Sequence, residues 1–311
     1  MTDPSDPRPV HFVGIAGAGM SGLAELLAKR GVRVSGCDGS PAAARADLER
    51  AGIQVFEGHD PAHVAGARAV VYTSAMALEH PELAAARAAG LPVIRRAEAL
   101  GAAVSGGKLV GVAGTAGKTT TTVMTTEGLR AAGLDVTGIA GGRVSAWNGN
   151  LSFGSDQLFV VESDEYDRSF LALHPNVAVV TNVEADHLDI YRDLDDIRET
   201  FARFVSGAEI VVLCADDTGA NTLPVPNTAE VIRYGIASPD ARLIAADVTR
   251  RGAGSSFQVI YDGKSEGEVV LDVPGLHNVR NALAAIGAGI ALGVPVQRVA
   301  SGLAQFRGVE R

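Results

Sequence analysis

At 311 residues the chain can hold two domains that each bury a core, and 47% hydrophobic with 20% charged residues is ordinary for a globular protein. A net charge of −9 argues against a nucleic-acid surface, which needs concentrated Lys and Arg. No apolar run approaches the ~20 residues that span a bilayer, and Met1–Pro9 lacks the apolar stretch of a signal peptide. Cys37 and Cys214 lie far apart and form no metal-ligand pattern in sequence. A soluble protein of the reducing cytoplasm is expected.

The first hundred residues alternate short apolar runs with helix-like stretches. A buried strand is predicted at Val10–Ile15, a helix at Ser21–Arg30 stopped by Gly31, a strand at Val32–Gly36 and a helix at Pro41–Arg50. Ile53–Glu57, Ala69–Thr73 and Pro92–Ile94 add strands, so a parallel sheet covered by helices follows. Between the first strand and helix, Gly17-Ala18-Gly19-Met20-Ser21-Gly22 fits G-x-G-x-x-G, where backbone N–H groups and a helix N-terminus favour a diphosphate. Asp38 lies about 20 residues on, where such folds place a ribose-binding acid. A dinucleotide and a UDP-sugar both offer a diphosphate, and a purely structural tight turn uses glycine as well. The motif does not separate these.

Ser105-Gly106-Gly107 reads as a linker, after which the pattern restarts with the strand Lys108–Ala113. Gly114-Thr115-Ala116-Gly117-Lys118-Thr119-Thr120 then forms a phosphate-loop variant whose backbone amides would cradle ATP, with Lys118 neutralising the phosphates and Thr119 offering a hydroxyl to Mg²⁺. A strict P-loop would carry glycine at Val112. One diphosphate site and one ATP site together point to a two-substrate transferase or ligase, ahead of a nicotinamide-dependent oxidoreductase.

Further buried strands are expected at Leu158–Val161, Val177–Thr181 and Ile210–Leu213, and Arg242–Val273 reads as a small antiparallel appendage. Glu162-Ser163-Asp164-Glu165-Tyr166-Asp167 follows one strand, at the sheet end where ligands bind; Glu162 is the candidate metal ligand. Thr181–Asp189 follows the next strand and places His187 among acids, as a second metal or phosphate contact. Tyr191, Asp193, Asp195 and Asp196 are assigned to the solvated start of a helix. Asn278 and Asn281, in His277-Asn278-Val279-Arg280-Asn281, suit either a nucleobase edge or helix N-capping.

Gly-Thr-Ala-Gly-Lys-Thr-Thr-Thr (114–121), Glu-Ser-Asp-Glu-Tyr-Asp (162–167), Thr-Asn-Val-Glu-Ala-Asp-His-Leu-Asp (181–189) and His-Asn-Val-Arg-Asn (277–281), in this order, resemble the Mur ligases of peptidoglycan synthesis. The opening Phe-Val-Gly-Ile-Ala-Gly-Ala-Gly-Met-Ser-Gly-Leu-Ala (12–24) is similar to the alanine-adding branch. The resemblance implies an α/β architecture: a Rossmann-like parallel-sheet domain binding the UDP-sugar (1–105), then a P-loop-type α/β ATPase domain with the antiparallel appendage (106–311). The family's C-terminal domain is expected to be absent, since Phe306–Arg311 resembles the junction leading into it, and such a chain is expected to ligate poorly.

The implied activity is ATP-dependent joining of L-alanine to UDP-N-acetylmuramate through an acyl phosphate, with ATP and Mg²⁺ required. A ligase that attaches a preformed peptide, or a non-catalytic nucleotide-binding module, is the alternative. Implied catalytic residues are Lys118, Glu162 and His187, with Thr119, Glu162 and His187 on metal. Gly114 to Thr120, Asn278 and Asn281 would bind ATP; Ala16, Gly17 to Gly22, Asp38 and Ser74 would bind the sugar nucleotide. Ala116 stands where the branch usually has histidine. The absence of lysine between His187 and Ser206 fits that branch, where a carbamylated lysine is not expected.

Overall fold

A computed structural model describes residues 1–309; Glu310 and Arg311, the end of the stretch read as a junction, lie outside the described residues. The chain divides into two compact units, one formed by Met1–Gly106 with Ile139–Phe153, the other by Gly107–Gly138 and the chain from Gly154 onward. Residues 139–153 thus group with the first unit, although a split into consecutive blocks puts them in the second.

In the first unit β1 (Val10–Val13), α1 (Ala18–Lys29), β2 (Val34–Asp38), α2 (Ala42–Arg50), β3 (Gln54–Glu57), β4 (Ala69–Tyr72), α3 (Pro81–Ala88), β5 (Val93–Arg95) and α4 (Arg96–Val104) follow one another. A short 3₁₀ turn, Pro61–Val64, precedes β4. The strand order is β3-β2-β1-β4-β5, every pair parallel, so the order reverses beside β1 and the loops after β1 and β4 flank the point where open α/β sheets take ligands. Several boundaries differ from the sequence reading by one to three residues. α1 starts at Ala18, because Gly17 is itself the N-cap, and β2 starts two residues late. Val32 N–H is used to close α1, donating to Leu27 O at 3.0 Å around Gly31, whose φ of +80° ends the helix.

From Lys108 the chain runs β6 (Lys108–Ala113), α5 (Lys118–Ala131), β7 (Thr137–Val144), β8 (Gly149–Ser152), β9 (Leu158–Glu162), β10 (Val177–Val180), α6 (Leu194–Val205), β11 (Ile210–Cys214), α7 (Thr218–Asn221), β12 (Glu230–Gly235), β13 (Leu243–Arg251), β14 (Gly254–Tyr261), β15 (Lys264–Leu271), α8 (Leu276–Ala291) and α9 (Val296–Leu303). Of these, β8 and all but the start of β7 lie in the stretch that groups with the first unit. Sequence reading missed β7, β8 and β12. In β12 the short apolar step Val231–Ile232 is bracketed by Glu230 and Arg233, and parallel pairing with β11 rather than its own pattern makes it a strand.

The sheet order is β15-β14-β13-β12-β11-β10-β6-β9-β7-β8. β13 pairs parallel with β12 and antiparallel with β14, and β14 antiparallel with β15, which is the appendage expected at 242–273.

α5 carries six threonines, poor helix formers in isolation. Burial overrides the propensity: Thr125 and Thr126 hydroxyls donate to the carbonyls of Thr121 and Thr122 at 2.7 and 2.8 Å, hiding their polarity inside the helix. Among the described residues no helix is long and apolar enough to cross a membrane.

Candidate functional site

Three neighbouring strands of the second unit, β10-β6-β9, end side by side, with Val112 in register with Glu162 and Ala113 with Val180. Their C-terminal loops, with the first turn of α5, carry the second unit's candidate site residues other than Asn278 and Asn281. After β6 the chain turns at Gly114 (φ +143°) and Gly117 (φ +82°) into α5. Glycine is required at both places: a Cβ on Gly114 would overlap Thr181 Oγ1, and one on Gly117 would meet Asn281 Oδ1 at 2.8 Å.

Lys118 curls back over this turn, donating to Gly114 O at 2.8 Å and to Glu165 Oε2 at 2.7 Å. Thr119 Oγ1 donates to Glu162 Oε1 at 2.9 Å, so the hydroxyl and carboxylate read as metal ligands are already neighbours. His187 is brought to the same place, its Nε2 3.8 Å from Glu165 Oε1 and its ring edge-on to Tyr166. Its φ of +52° is a left-handed conformation, uncommon for a side chain of this size. Thr120 is partly exposed on the first turn of α5.

The loop differs from the sequence picture in which amides are on offer. Ala116 N–H donates to Asn182 Oδ1 at 2.8 Å and Thr115 N–H to Asn182 O at 3.3 Å. Thr181 Oγ1 donates to Ala116 O at 2.7 Å, and Glu184 N–H to Thr115 Oγ1 at 3.0 Å. The loop after β10 thus splints the turn, and the amides left for an anion are those of the first turn of α5, which a helix cannot satisfy internally.

Tyr191 and Asp196 overturn their assignment to a solvated helix start. Tyr191 is 1% exposed and donates to Glu165 O at 2.5 Å; burial pushes its hydroxyl up to about 12. Asp196 is buried and takes both Nη2 bonds of Arg168, at 2.8 and 3.0 Å. Arg192 N–H and the Arg168 guanidinium hold its carboxyl below the usual range.

Asn278 and Asn281 are not N-caps; Gly275 is, and both asparagines lie within α8. Asn278 Nδ2 donates to Pro274 O at 2.7 Å, while the buried Asn281 backs Gly117. Arg280 donates to Asp216 Oδ2 at 2.9 Å. Asp216 also accepts from the amides of Ile236, Ala237 and Ser238. Burial raises the Asp216 carboxyl, but these donors outweigh it and hold it below its ordinary value.

In the first unit the turn after β1 is fixed by β2. Gly14, at φ +82°, and Ile15 donate to Cys37 O, and Ala16 N–H donates to Asp38 Oδ2 at 3.0 Å. Asp38 therefore braces the glycine turn as well as standing at the strand end. Gly17, Gly19 and Gly22 keep ordinary φ angles. A Cβ on Gly19 would lie 2.8 Å from Arg96 Nη1, the movable end of a long side chain, and one on Gly22 would make ordinary contact with Asn150 Cβ at 3.4 Å. Ala18 O accepts from Ser21 Oγ and from Asn150 Nδ2, and Met20 is buried beneath the turn. Ser74 is exposed just after β4, and the preceding Thr73 side chain touches Gly14.

Glu165, Asn182, Tyr191, Arg96 and Asn150 carry roles that sequence reading did not assign. Glu165 sits within the acidic run, but nothing in that run distinguishes it from Asp164 or Asp167. Asn182 falls in the Thr181–Asp189 motif, again without a mark of its role.

The family model described as "Mur ligase middle domain" matches residues 112–289, and that described as "Mur ligase family, catalytic domain" matches residues 9–108. A UDP-N-acetylmuramate–L-alanine ligase of Burkholderia ambifaria is 42% identical over 308 residues, covering 98% of this chain and 66% of that protein. The chain thus spans about two thirds of the length of the curated relatives it matches. The crystal structure of a UDP-N-acetylmuramate–alanine ligase from Thermotoga maritima superposes with a TM-score of 0.87 at 30% identity, over 97% of this chain and 69% of that one. That of UDP-N-acetylmuramate:L-alanyl-γ-D-glutamyl-meso-diaminopimelate ligase from Neisseria meningitides gives 0.86 at 30% identity, over 98% and 99%.

Proposed function

The chain belongs to the Mur ligase family, and from that premise we propose that it binds UDP-N-acetylmuramate in its first unit and ATP in its second, to join L-alanine to the muramyl carboxylate. The observation that carries the reading is the convergence of Lys118, Thr119, Glu162, Glu165 and His187 at three adjacent strand ends.

In this reading the sugar carboxylate attacks the γ-phosphorus of ATP, giving an acyl phosphate and ADP. The amine of L-alanine then displaces phosphate through a tetrahedral intermediate. Such chemistry rests on positioning and charge neutralisation. Lys118 already lies against the loop and would exchange part of its pairing with Glu165 for phosphate oxygens. Thr119 Oγ1 and Glu162 fit a magnesium ion, being paired at 2.9 Å. The buried Glu165 Oε1, which lacks a hydrogen-bond partner, fits a cation or a metal-bound donor near His187. A magnesium ion held by these residues would supply positive charge against the phosphates. Gly17 to Gly22 would hold the sugar diphosphate at the N-terminus of α1, with Asp38 and Ser74 beside it and Arg96 as its cation.

A second reading is attachment of a preformed peptide to the same sugar nucleotide. The Neisseria ligase, as similar in sequence and fold as the Thermotoga protein at 30% identity and a TM-score of 0.86, supports it. Calorimetric titration with UDP-N-acetylmuramate, against UDP-N-acetylglucosamine and NADH, tests the proposal: selective binding of the muramate is expected. Preference for NADH by a folded sample would overturn the reading. Phosphate release from ATP with L-alanine, compared with an alanyl-glutamyl-diaminopimelate tripeptide, then separates the two acceptors.

A further inference from the structure

Four of the chain's seven histidines, His11, His59, His63 and His80, gather in the first unit with Cys37 and Glu82. The potential ligand atoms of His11, Cys37, His63 and Glu82 all lie within 4.8 Å of one another. They come from four elements: β1, β2, the 3₁₀ turn Pro61–Val64 and the first turn of α3. His11, Cys37 and Glu82 are fully buried, and the His63 side chain is 16% exposed.

Glu82 makes the group unusual. A buried carboxylate needs a compensating charge, yet its contacts are Cys37 Sγ at 3.0 and 3.2 Å, His63 Nδ1 at 2.8 Å, His59 Nδ1 at 3.2 Å and Asp60 N–H at 3.1 Å. No lysine or arginine is among these contacts. His11 supplies an independent pointer. Its Nδ1 is fixed to Ser35 Oγ at 3.0 Å, and its Nε2 is buried without a hydrogen-bond partner.

We infer that Cys37 Sγ, His11 Nε2, His63 Nδ1 and the Glu82 carboxylate form a binding site for one divalent transition-metal ion of the zinc class. A tetrahedral zinc site with N, O and S ligands needs donor atoms roughly 3.3–3.8 Å apart. In the cluster the pairs at 2.8–3.2 Å must open, and any pair near the 4.8 Å limit must close by about an ångström, a shift that side-chain rotation supplies. Binding expels the thiol proton to solvent, so one dication meets one thiolate, one carboxylate and two neutral imidazoles. The site is then electrically neutral, as a buried pocket requires.

The surroundings match an outer shell. Ser35 orients His11 through Nδ1, and His59, edge-on to His80, holds the second Glu82 oxygen. Asp60 N–H, now shared between His63 and Glu82, keeps Glu82 as its acceptor. Phe56 stacks on His63, and Val64 closes the apolar side. With four protein ligands the site is closed and structural. Because Cys37 O accepts from Gly14 and Ile15, a bound ion would stiffen the glycine turn through the backbone of β2.

The test uses the whole chain, purified without a metal-affinity step, stripped with a chelator and kept in excess Mg²⁺. Titration with Co²⁺ should give one ion per chain with tetrahedral visible bands and a near-ultraviolet thiolate-to-cobalt band, and Zn²⁺ should displace it. C37S should abolish the thiolate band, and C37S and H63A should each lower Zn²⁺ affinity at least ~100-fold; S35A should cost roughly 10–100-fold. C214S, whose thiol lies in the other unit, should leave the band unchanged. The inference is overturned if the folded parent chain binds less than one Co²⁺, shows only octahedral bands, or keeps its thiolate band in C37S.

Discussion

Lys118 Nζ lies 2.7 Å from Glu165 Oε2, in a pair whose side chains are 14% and 3% exposed. The cation proposed to meet a nucleotide's phosphates is thus paired with an internal carboxylate. Removing Lys118 alone strands that carboxylate in the interior. K118A should therefore weaken the fold by about 3 kcal/mol and abolish ATP binding, while UDP-sugar binding persists. K118M/E165Q should recover most of the stability but none of the ATP affinity. Urea unfolding and nucleotide titration on the three chains check this; an unchanged unfolding midpoint in K118A would disprove the coupling.

Thr119 and Glu162 face one another at 2.9 Å and are assigned to one magnesium ion. T119V and E162Q should each lower ATP affinity roughly tenfold when Mg²⁺ is present, the worth of one charge-assisted contact. In EDTA the difference should vanish. Equal losses with and without Mg²⁺ would mean that the two residues serve only to shape the loop.

Gly117 combines a left-handed backbone with a close neighbour, Asn281 Oδ1. G117A should destabilise by about 1–2 kcal/mol from the backbone alone. The double variant G117A/N281A removes the collision but not the left-handed φ, so it should regain only part of the loss. Full recovery in thermal unfolding would show that the contact, not the backbone, sets the requirement for glycine.

Arg96 lies against Gly19 at the N-terminus of α1, where the sugar diphosphate is proposed to sit. R96A should weaken UDP-N-acetylmuramate binding roughly tenfold, with ATP binding unaltered. Calorimetry on both ligands measures it, and equal binding of the sugar nucleotide by both proteins would remove Arg96 from the site.

Asp216 ties the loop after β11 to the residues after β12 and to Arg280 on α8. Its carboxyl is depressed in the folded state below an ordinary 3.8. Such a group contributes stability that is fully present above its unfolded value and is lost as pH falls through the folded one. The parent chain should be more stable than D216N at pH 7, and the gap should close below about pH 4. Urea midpoints at pH 7, 4 and 3 report it; a gap that stays constant would exclude the ionised carboxylate as its source.

Much of the second site was legible because phosphate chemistry is written in short local motifs. Gly114–Thr120 encodes a strand-to-helix turn within seven residues, and the acidic and histidine clusters each follow an apolar run that reads as a buried strand. Tyr191 and Asp196 were misplaced for the complementary reason. Locally they sit among charged residues, and only the packing of α6 beside the loop after β9 shows that their partners are Glu165 and Arg168. The threonine-rich α5 likewise needed its buried surroundings to settle as a helix.

The amino-acid sequence by itself determined the alternation of strands and helices, the two glycine turns, and the residue types available for phosphate and magnesium. Those features depend on hydrophobic period and on backbone conformations that few residues adopt, both local properties. Tertiary structure alone decided that β10, β6 and β9 are neighbours, that Glu165 rather than another acid of its run meets Lys118, and that Asn182 occupies the loop amides. It also decided that His11, Cys37, His63 and Glu82, up to 71 positions apart by their numbers, share one buried point. Strand order and register fix which side chains meet, and they arise from long-range packing whose sequence separation carries no local mark.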